Sequence, residues 1–387
     1  MYSFDQMPNR RGTNSIKWNV KDHELPMWIA DMDFGVAPEI IQAMQDKIKL
    51  GAFGYESVPD SYYDAIVNWQ EKQHNCQIKK DWILFVSGVI PALSSAVRRL
   101  THPGEQIVTL TPVYNIFFHS IENNGRKSLE EELEYDANSH EYRINWSSLE
   151  QKLADPLTKM MILCNPHNPI GKSWTYEEIE KIAQLCNKYH VYLFSDEIHG
   201  DLVLNDSFSS SLKLPDNLKQ NLIIAFSPSK TFNLAALHSA SVVVPNSELR
   251  FQIYRAINND EIAEPNLLAI PATIAAYTQG STWLHELKAY LLKNRQYIAN
   301  FLENELSQLN LASEFATYLA WIDISNLNIN SQELADFLKE NTGLIISSGQ
   351  EYRGNGDNFI RLNFACPQSV LKEGLGRLKK GINSEKA

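Results

Sequence analysis

The chain has 387 residues, a formal net charge of −11, 44% hydrophobic residues and 21% charged residues. That is an ordinary globular mix, long enough for two domains, and its acidic balance disfavours a nucleic-acid partner, which requires a basic footprint. Four cysteines (Cys76, Cys164, Cys186, Cys366) stand without CxxC or Cys/His spacing, so neither a disulfide framework nor a zinc site is expected.

The N-terminal MYSFDQMPNRRGTNS lacks an apolar core of signal-peptide length, and no segment approaches the apolar length of a membrane span. A cytoplasmic protein with no membrane partner is the expectation. From about residue 80 to 245, short apolar runs alternate with amphipathic helices. Strands are predicted at Trp82–Val86, Gln106–Leu110, Met160–Cys164, Val191–Phe194, Leu222–Phe226 and Ala240–Val244. Between them, a helix over Tyr176–Tyr189 aligns Ile179, Ile182, Ala183, Cys186 and Tyr189 on one face, opened by a Thr175/Glu178 capping box. The alternation predicts an α/β domain built on a mainly parallel sheet sandwiched by helices. The C-terminal third differs: a long helix from Thr282 to Leu309, the run TYLAWIDI, a helix over Ser331–Glu340 and the strand-like IRLNFA. These predict a smaller α+β domain. The division expected is 45–285 for the large domain, with 1–44 and 286–387 forming the small one.

Ligands in open α/β sheets bind beyond the carboxyl ends of the strands, so the residues following each strand carry the functional signal. After Trp82–Val86 comes SGVIPALSSAVRRL, small residues opening a helix, where free N–H groups suit a phosphate. After Gln106–Leu110, TPVYNIF brings Tyr114; after Met160–Cys164, NPHNPIGK brings Asn168. SDEIHG follows the next strand with Asp196, Glu197 and His199, a metal-like trio without a second ligand set. After Leu222–Phe226, SPSK delivers Lys230. Each feature alone has a bland explanation as turn, packing or surface residue. Together a phosphate turn, an aromatic ring, an amide, a carboxylate and an amine match the needs of pyridoxal phosphate.

The motifs NPHNPIG, SDEIH and SPSKTFNLAAL, in that order, resemble the fold-type I pyridoxal-phosphate enzymes of the aspartate aminotransferase superfamily. More narrowly, KWNV…LPMWIADMDF, SGVIPAL, DEIHGDLV, TYLAWIDI and FIRLNFACP resemble the MalY/PatB-type cystathionine β-lyases. The matching motifs run from Lys17 to Pro367. The resemblance implies a seven-stranded sheet in the large domain, and Lys230 as the residue that holds pyridoxal 5'-phosphate covalently. It implies that Asp196 pairs with the ring nitrogen, Asn168 with the ring oxygen, and that Tyr114 stacks on the ring. Ser227 and the Gly88–Val89–Ile90 backbone are implied phosphate contacts, His199 a further cofactor contact, and Arg361 the clamp for a substrate carboxylate. Tyr55, in GAFGYES, matches a tyrosine that reaches the phosphate of a neighbouring subunit, which implies a homodimer with shared active sites. Many aminotransferases carry a tyrosine in place of His199 and an arginine in place of His238. Neither is present here, which favours the lyase group and leaves His238 as a partial charge partner for the phosphate.

The implied activity is α,β-elimination on cystathionine or related cysteine thioethers, small amino-acid substrates, giving a thiol, pyruvate and ammonia. An aminotransferase is the alternative, since the same lysine can serve either outcome. A regulatory protein that kept the fold is the second, because a fold alone does not carry an activity.

Overall fold

A computed structural model describes residues 2–205 and 208–385. Seven strands form the main sheet, in spatial order Ile83–Val86, Ala240–Val243, Leu222–Phe226, Tyr192–Asp196, Thr158–Cys164, Gln106–Thr111 and Lys127–Glu132. Only Ala240–Val243 runs against the others, pairing antiparallel with both neighbours. The central strands are near-continuous apolar runs: all of Leu222–Phe226 is buried, as are residues 160–164. A strand covered by helices on both faces needs that composition, which is why the apolar runs predicted the sheet.

Six of the seven strands follow the sequence expectation to within two residues at each end. Ile83–Val86 starts after Trp82 because Lys80–Trp82 closes a short 3-10 turn. The Tyr192–Asp196 strand extends two residues beyond Phe194, so Asp196 is its last residue. The seventh strand, Lys127–Glu132, has the sequence KSLEEE and no apolar period. It pairs with only one neighbour, and an edge strand tolerates charge that a central strand does not.

The helix Tyr176–Lys188 ends one residue earlier than its periodicity suggests, with both halves of the capping box formed. The long helix is Ser281–Glu305 and stops short of Leu309. Leu306 and Leu309 continue the apolar pattern because they are buried in the turn that follows. That turn leads into a four-stranded antiparallel sheet, ordered Asn310–Leu311, Leu319–Asp323, Phe359–Asn363 and Ser347–Ser348. The helix Ser331–Thr342 packs beside it and ends at Gly343, φ 69°, where an added Cβ would lie 2.7 Å from the His23 carbonyl. Only glycine combines that backbone with that approach. Leu25–Pro26 pairs in parallel with Leu344–Ile345, so the N-terminal segment folds onto the C-terminal third.

Replacing Leu163, fully buried in the central Thr158–Cys164 strand, by alanine removes core volume that the sheet cannot refill. We expect Leu163→Ala to cost about 2–5 kcal/mol, measured as a lower denaturant midpoint with unchanged slope.

Candidate active site

The parallel strands end at one edge of the sheet, and the segments that leave it carry the side chains singled out from sequence. Asp196 closes its strand, is 4% exposed, and accepts a hydrogen bond from the Ile198 N–H at 3.1 Å. Burial is the main influence on its carboxyl, pushing the pKa up to about 7. The adjacent Glu197 faces different partners: Ser195 Oγ donates at 3.0 Å, Ser210 Oγ at 2.5 Å and Ser211 N–H at 2.8 Å. The acidic pair is thus split between a satisfied structural group and a sparsely bonded one.

Lys230 lies in the short helix Pro228–Thr231 that follows the Leu222–Phe226 strand. Its Nζ donates to the Ala30 carbonyl at 2.7 Å. Burial and then the Arg361 charge lower its pKa to about 8, while Asp31 and Asp196 oppose the shift. Arg361, on Phe359–Asn363, is 5% exposed. Its Nη1 donates to Asn168 Oδ1 at 3.1 Å and its Nη2 to the Trp28 carbonyl at 2.8 Å. Arg361 Nε is buried without an acceptor among the described residues. The guanidinium also sits 4.9 Å from the Tyr352 ring centroid.

Asn168 is buried and its carbonyl accepts from the Tyr114 N–H at 3.1 Å, which ties the two strand-end turns together. Tyr114 packs edge-on to Phe117 with centroids 5.6 Å apart, and burial pushes its phenol up to about 12. His199 is buried with Nδ1 lacking a partner among the described residues. Burial, then Lys230 and Arg361, hold its pKa down to about 3, so the imidazole is neutral. Ser227 Oγ lies 2.6 Å from both Ser229 Oγ and the Ser239 carbonyl. The helix Val89–Leu100 opens at Gly88 with no side-chain cap. The first N–H groups of such a helix have no intrahelical partner, and those of Val89 and Ile90 face that deficit. A Cβ on Gly88 would lie 3.0 Å from Pro91 Cδ, so a side chain there would crowd this turn.

Tyr55 is not gathered into this constellation: its side chain is fully exposed. His238 is exposed as well, at a left-handed φ of 52°, beside the Ser239 carbonyl that Ser227 engages. Three contributors went unnoticed in the sequence. The carbonyls of Trp28 and Ala30 bind Arg361 and Lys230, and a carbonyl leaves no mark in residue type. Tyr318 donates to the Ala30 carbonyl at 3.2 Å and lies edge-on to His199; its only signal was its place in TYLAWIDI.

The profile of the aminotransferase class I and II family matches residues 25–378. The chain belongs to this family. It is 36% identical over 390 residues to the cystathionine β-lyase PatB of Bacillus subtilis strain 168, covering 98% of this chain and 100% of that protein. A PLP-bound putative aminotransferase from Clostridium difficile 630 superposes with a TM-score of 0.95 at 34% identity, covering 99% of this chain and 100% of that one. A PLP-bound C–S lyase from Staphylococcus hominis superposes with a TM-score of 0.91 at 30% identity, covering 98% and 99% of the two chains.

Pyridoxal phosphate fits the residues present. A buried carboxylate with one hydrogen bond needs a cation, which the ring nitrogen of that group supplies. An uncapped helix start with a glycine turn suits a phosphate, and a lysine of lowered pKa suits covalent attachment.

The raised Asp196 pKa has a stability consequence in the cofactor-free protein. Its folded value, about 7, lies above the ordinary 3.8, so the folded state holds a proton that the unfolded chain has already released. Stability therefore falls as pH rises through that window. Asp196→Asn removes the ionisation, so the cofactor-free variant should outlast cofactor-free wild type at pH 8. Each tenfold difference in proton affinity between the folded and unfolded chain contributes roughly 1.4 kcal/mol to that gap. The advantage should vanish toward pH 4, as read from thermal midpoints across pH.

Proposed function

We propose that this protein is a pyridoxal-phosphate-dependent C–S β-lyase. It acts on cystathionine or related cysteine thioethers and releases a thiol (homocysteine from cystathionine), pyruvate and ammonia. The observation that carries this reading is the meeting of Lys230, Asp196 and Arg361 at one sheet edge, in a chain similar over its whole length to a cystathionine β-lyase. When bound, pyridoxal phosphate supplies an electron sink that stabilises negative charge at the substrate Cα.

The protein's own residues do the rest. Asp196 would keep the ring nitrogen protonated, and the cation so formed would offset the cost of burying its carboxylate. With the cofactor bound, Asn168 would meet the ring oxygen, Tyr114 would lie against the ring, and Gly88, Val89, Ile90 and Ser227 would hold the phosphate. His199, neutral and buried, offers its free Nδ1 to the same pocket. Arg361 is held through one N–H of each Nη, which leaves Nε–H and the second hydrogen on each Nη as donors for a substrate carboxylate. Lys230 Nζ, with its pKa lowered to about 8, is partly neutral near pH 7 and takes the α-proton. The same ammonium then returns a proton to the departing thiolate. Addition of water to the remaining three-carbon fragment gives pyruvate and ammonia.

In this reading residues 45–285 form the cofactor domain, and 1–44 with 286–387 the smaller domain that carries Arg361. Release of homocysteine links the reaction to methionine synthesis. A cytoplasmic setting accords with four buried, unpaired cysteines. No described helix is long and apolar enough to cross a membrane. A homodimer accords with the exposed apolar run Ile48, Leu50, Phe53 and Tyr55, which a second copy would cover.

The assay that tests the reading supplies cystathionine and other β-thioethers without any 2-oxo acid. Thiol and pyruvate should appear in equal amounts. A protein that consumes its amino acid only when a 2-oxo acid is added is an aminotransferase instead. Lys230→Ala should lose turnover by orders of magnitude, because attachment and proton transfer depend on the same amine; near-wild-type thiol release by that variant removes Lys230 from the mechanism.

Shared sites have their own test. A Lys230→Ala chain mixed with a Tyr55→Phe chain, each inactive alone and dimeric, should regain activity on exchange, because one site of the heterodimer then carries neither defect. Confirmed heterodimers that stay inactive exclude cross-subunit completion by Tyr55.

A further inference from the structure

The amine of Lys230 and the guanidinium of Arg361 are bound by the same piece of irregular chain, Trp28–Phe34. Trp28 O accepts from Arg361 Nη2 at 2.8 Å, and two residues later Ala30 O accepts from Lys230 Nζ at 2.7 Å. These residues belong to no strand or helix, so side chains must supply most of the hydrogen bonds that a ladder would provide. Two asparagines supply five of these side-chain hydrogen bonds. Asn363 Nδ2 donates to Ile29 O at 2.6 Å and to Asp31 O at 2.8 Å, on either side of Ala30. Asn233 Oδ1 accepts from Met32 N–H at 3.1 Å, while its Nδ2 donates to Met32 O at 3.0 Å and Phe34 O at 3.3 Å.

Their places in the chain matter. Asn363 lies two residues after Arg361 on the Phe359–Asn363 strand, so both side chains leave the same face of the sheet. Asn233 lies three residues after Lys230 and turns there with φ 58°. Both asparagines grip the single peptide unit between Asp31 and Met32, one through its carbonyl and the other through its N–H. Beneath them, Lys17 Nζ donates to Asp31 O at 2.9 Å and pairs with Asp33 at 2.8 Å, both side chains 1% exposed. Trp18 Nε1 completes the Asp33 carboxylate at 2.8 Å.

We propose that Asn363 and Asn233 are positioning residues, which set the spacing between the proton-transferring amine and the carboxylate clamp by pinning the Trp28–Phe34 segment from both sides. The inference rests on the lyase reading for the roles of Lys230 and Arg361. Neither asparagine touches the reacting atoms. Each acts through the carbonyls that the amine and the guanidinium occupy, and the buried Lys17–Asp33 pair gives that segment a rigid floor. A substrate must meet both groups at once, its α-carboxylate at Arg361 and its α-proton at Lys230. A shift of about 1 Å in such spacing can cost roughly 100-fold in rate.

The test uses the cofactor-loaded protein and alanine, which offers an α-amine and α-carboxylate without a leaving group, bound in a calorimeter. Asn363→Leu keeps the side-chain bulk and deletes both donors. It should weaken alanine binding at least tenfold and lower kcat/KM for a thioether by roughly 100-fold. Thr101→Val is the control: Thr101 is also buried, and its Oγ1 donates to the Val97 carbonyl at 2.6 Å and accepts from Arg126 Nε at 2.8 Å ahead of the Gln106–Thr111 strand, across the sheet from its carboxyl edge. It should lose thermal stability yet hold its alanine affinity within threefold. If Asn363→Leu does not fold, Asn233→Leu carries the same expectation from the other side. Alanine affinity within threefold of wild type in the folded segment variant, or an equal loss in the control, overturns the proposal. Thiol release plays no part in alanine binding, so wild type that binds alanine without releasing thiol refutes the lyase assignment and leaves this test standing.

Discussion

Two opposite charges are buried at the carboxyl edge of the sheet and are not allowed to neutralise each other. Asp196 and Lys230 form no ion pair; one faces a single N–H, the other a carbonyl. Burial pushes both toward their neutral forms, the acid up to about 7 and the amine down to about 8. An arrangement of this kind costs stability, and a fold tolerates it where a bound group supplies what is missing. The missing parts are specific: a cation for the carboxylate and an electrophilic carbon for the amine, with an anion for the uncapped helix at Gly88. One small molecule, pyridoxal phosphate, carries all three.

The rest of the structure keeps these groups in place and apart. Parallel strands bring their ends to one edge without any residue choosing its neighbour. The buried apolar strands behind them fix that edge, since shifting one along its neighbours would break the close packing of both its faces against the covering side chains. From the other side, the C-terminal sheet contributes Arg361, and the N-terminal segment runs between the two, its carbonyls binding both cationic side chains. Residues 349–358 fasten the same joint: Val113 N–H donates to the Tyr352 carbonyl, while Arg353 bridges Glu122 and Glu130. The substrate pocket is thus assembled from three stretches far apart in sequence.

Much of this was legible in the sequence, and the physics explains which part. Leu222–Phe226 is apolar throughout because it is covered on both faces, so its ends and the lysine beyond it could be read directly. Asp196, Asn168 and Tyr114 followed from the same rule about strand ends. The edge strand Lys127–Glu132 was invisible because half-exposed pairing leaves no apolar signature. Helix length was overstated where Leu306 and Leu309 carried the helical spacing into a buried turn. Backbone acceptors such as Ala30 O and Trp28 O have no counterpart in residue type at all. Glu197 sits beside Asp196 in sequence, yet three donors absorb its charge, a distinction that only side-chain direction reveals.

Every role assigned at this edge depends on the amine at the end of the Leu222–Phe226 strand being the attachment point of the cofactor. Borohydride reduction of the loaded protein, followed by peptide mass mapping, tests that attachment without reference to any substrate. A single pyridoxyl-phosphate mass increment is expected, confined to the peptide containing Lys230 and absent from the Lys230→Ala protein treated in parallel. A stoichiometric increment on any other lysine, or none in a protein that retains bound cofactor, would show that Lys230 is not the anchor.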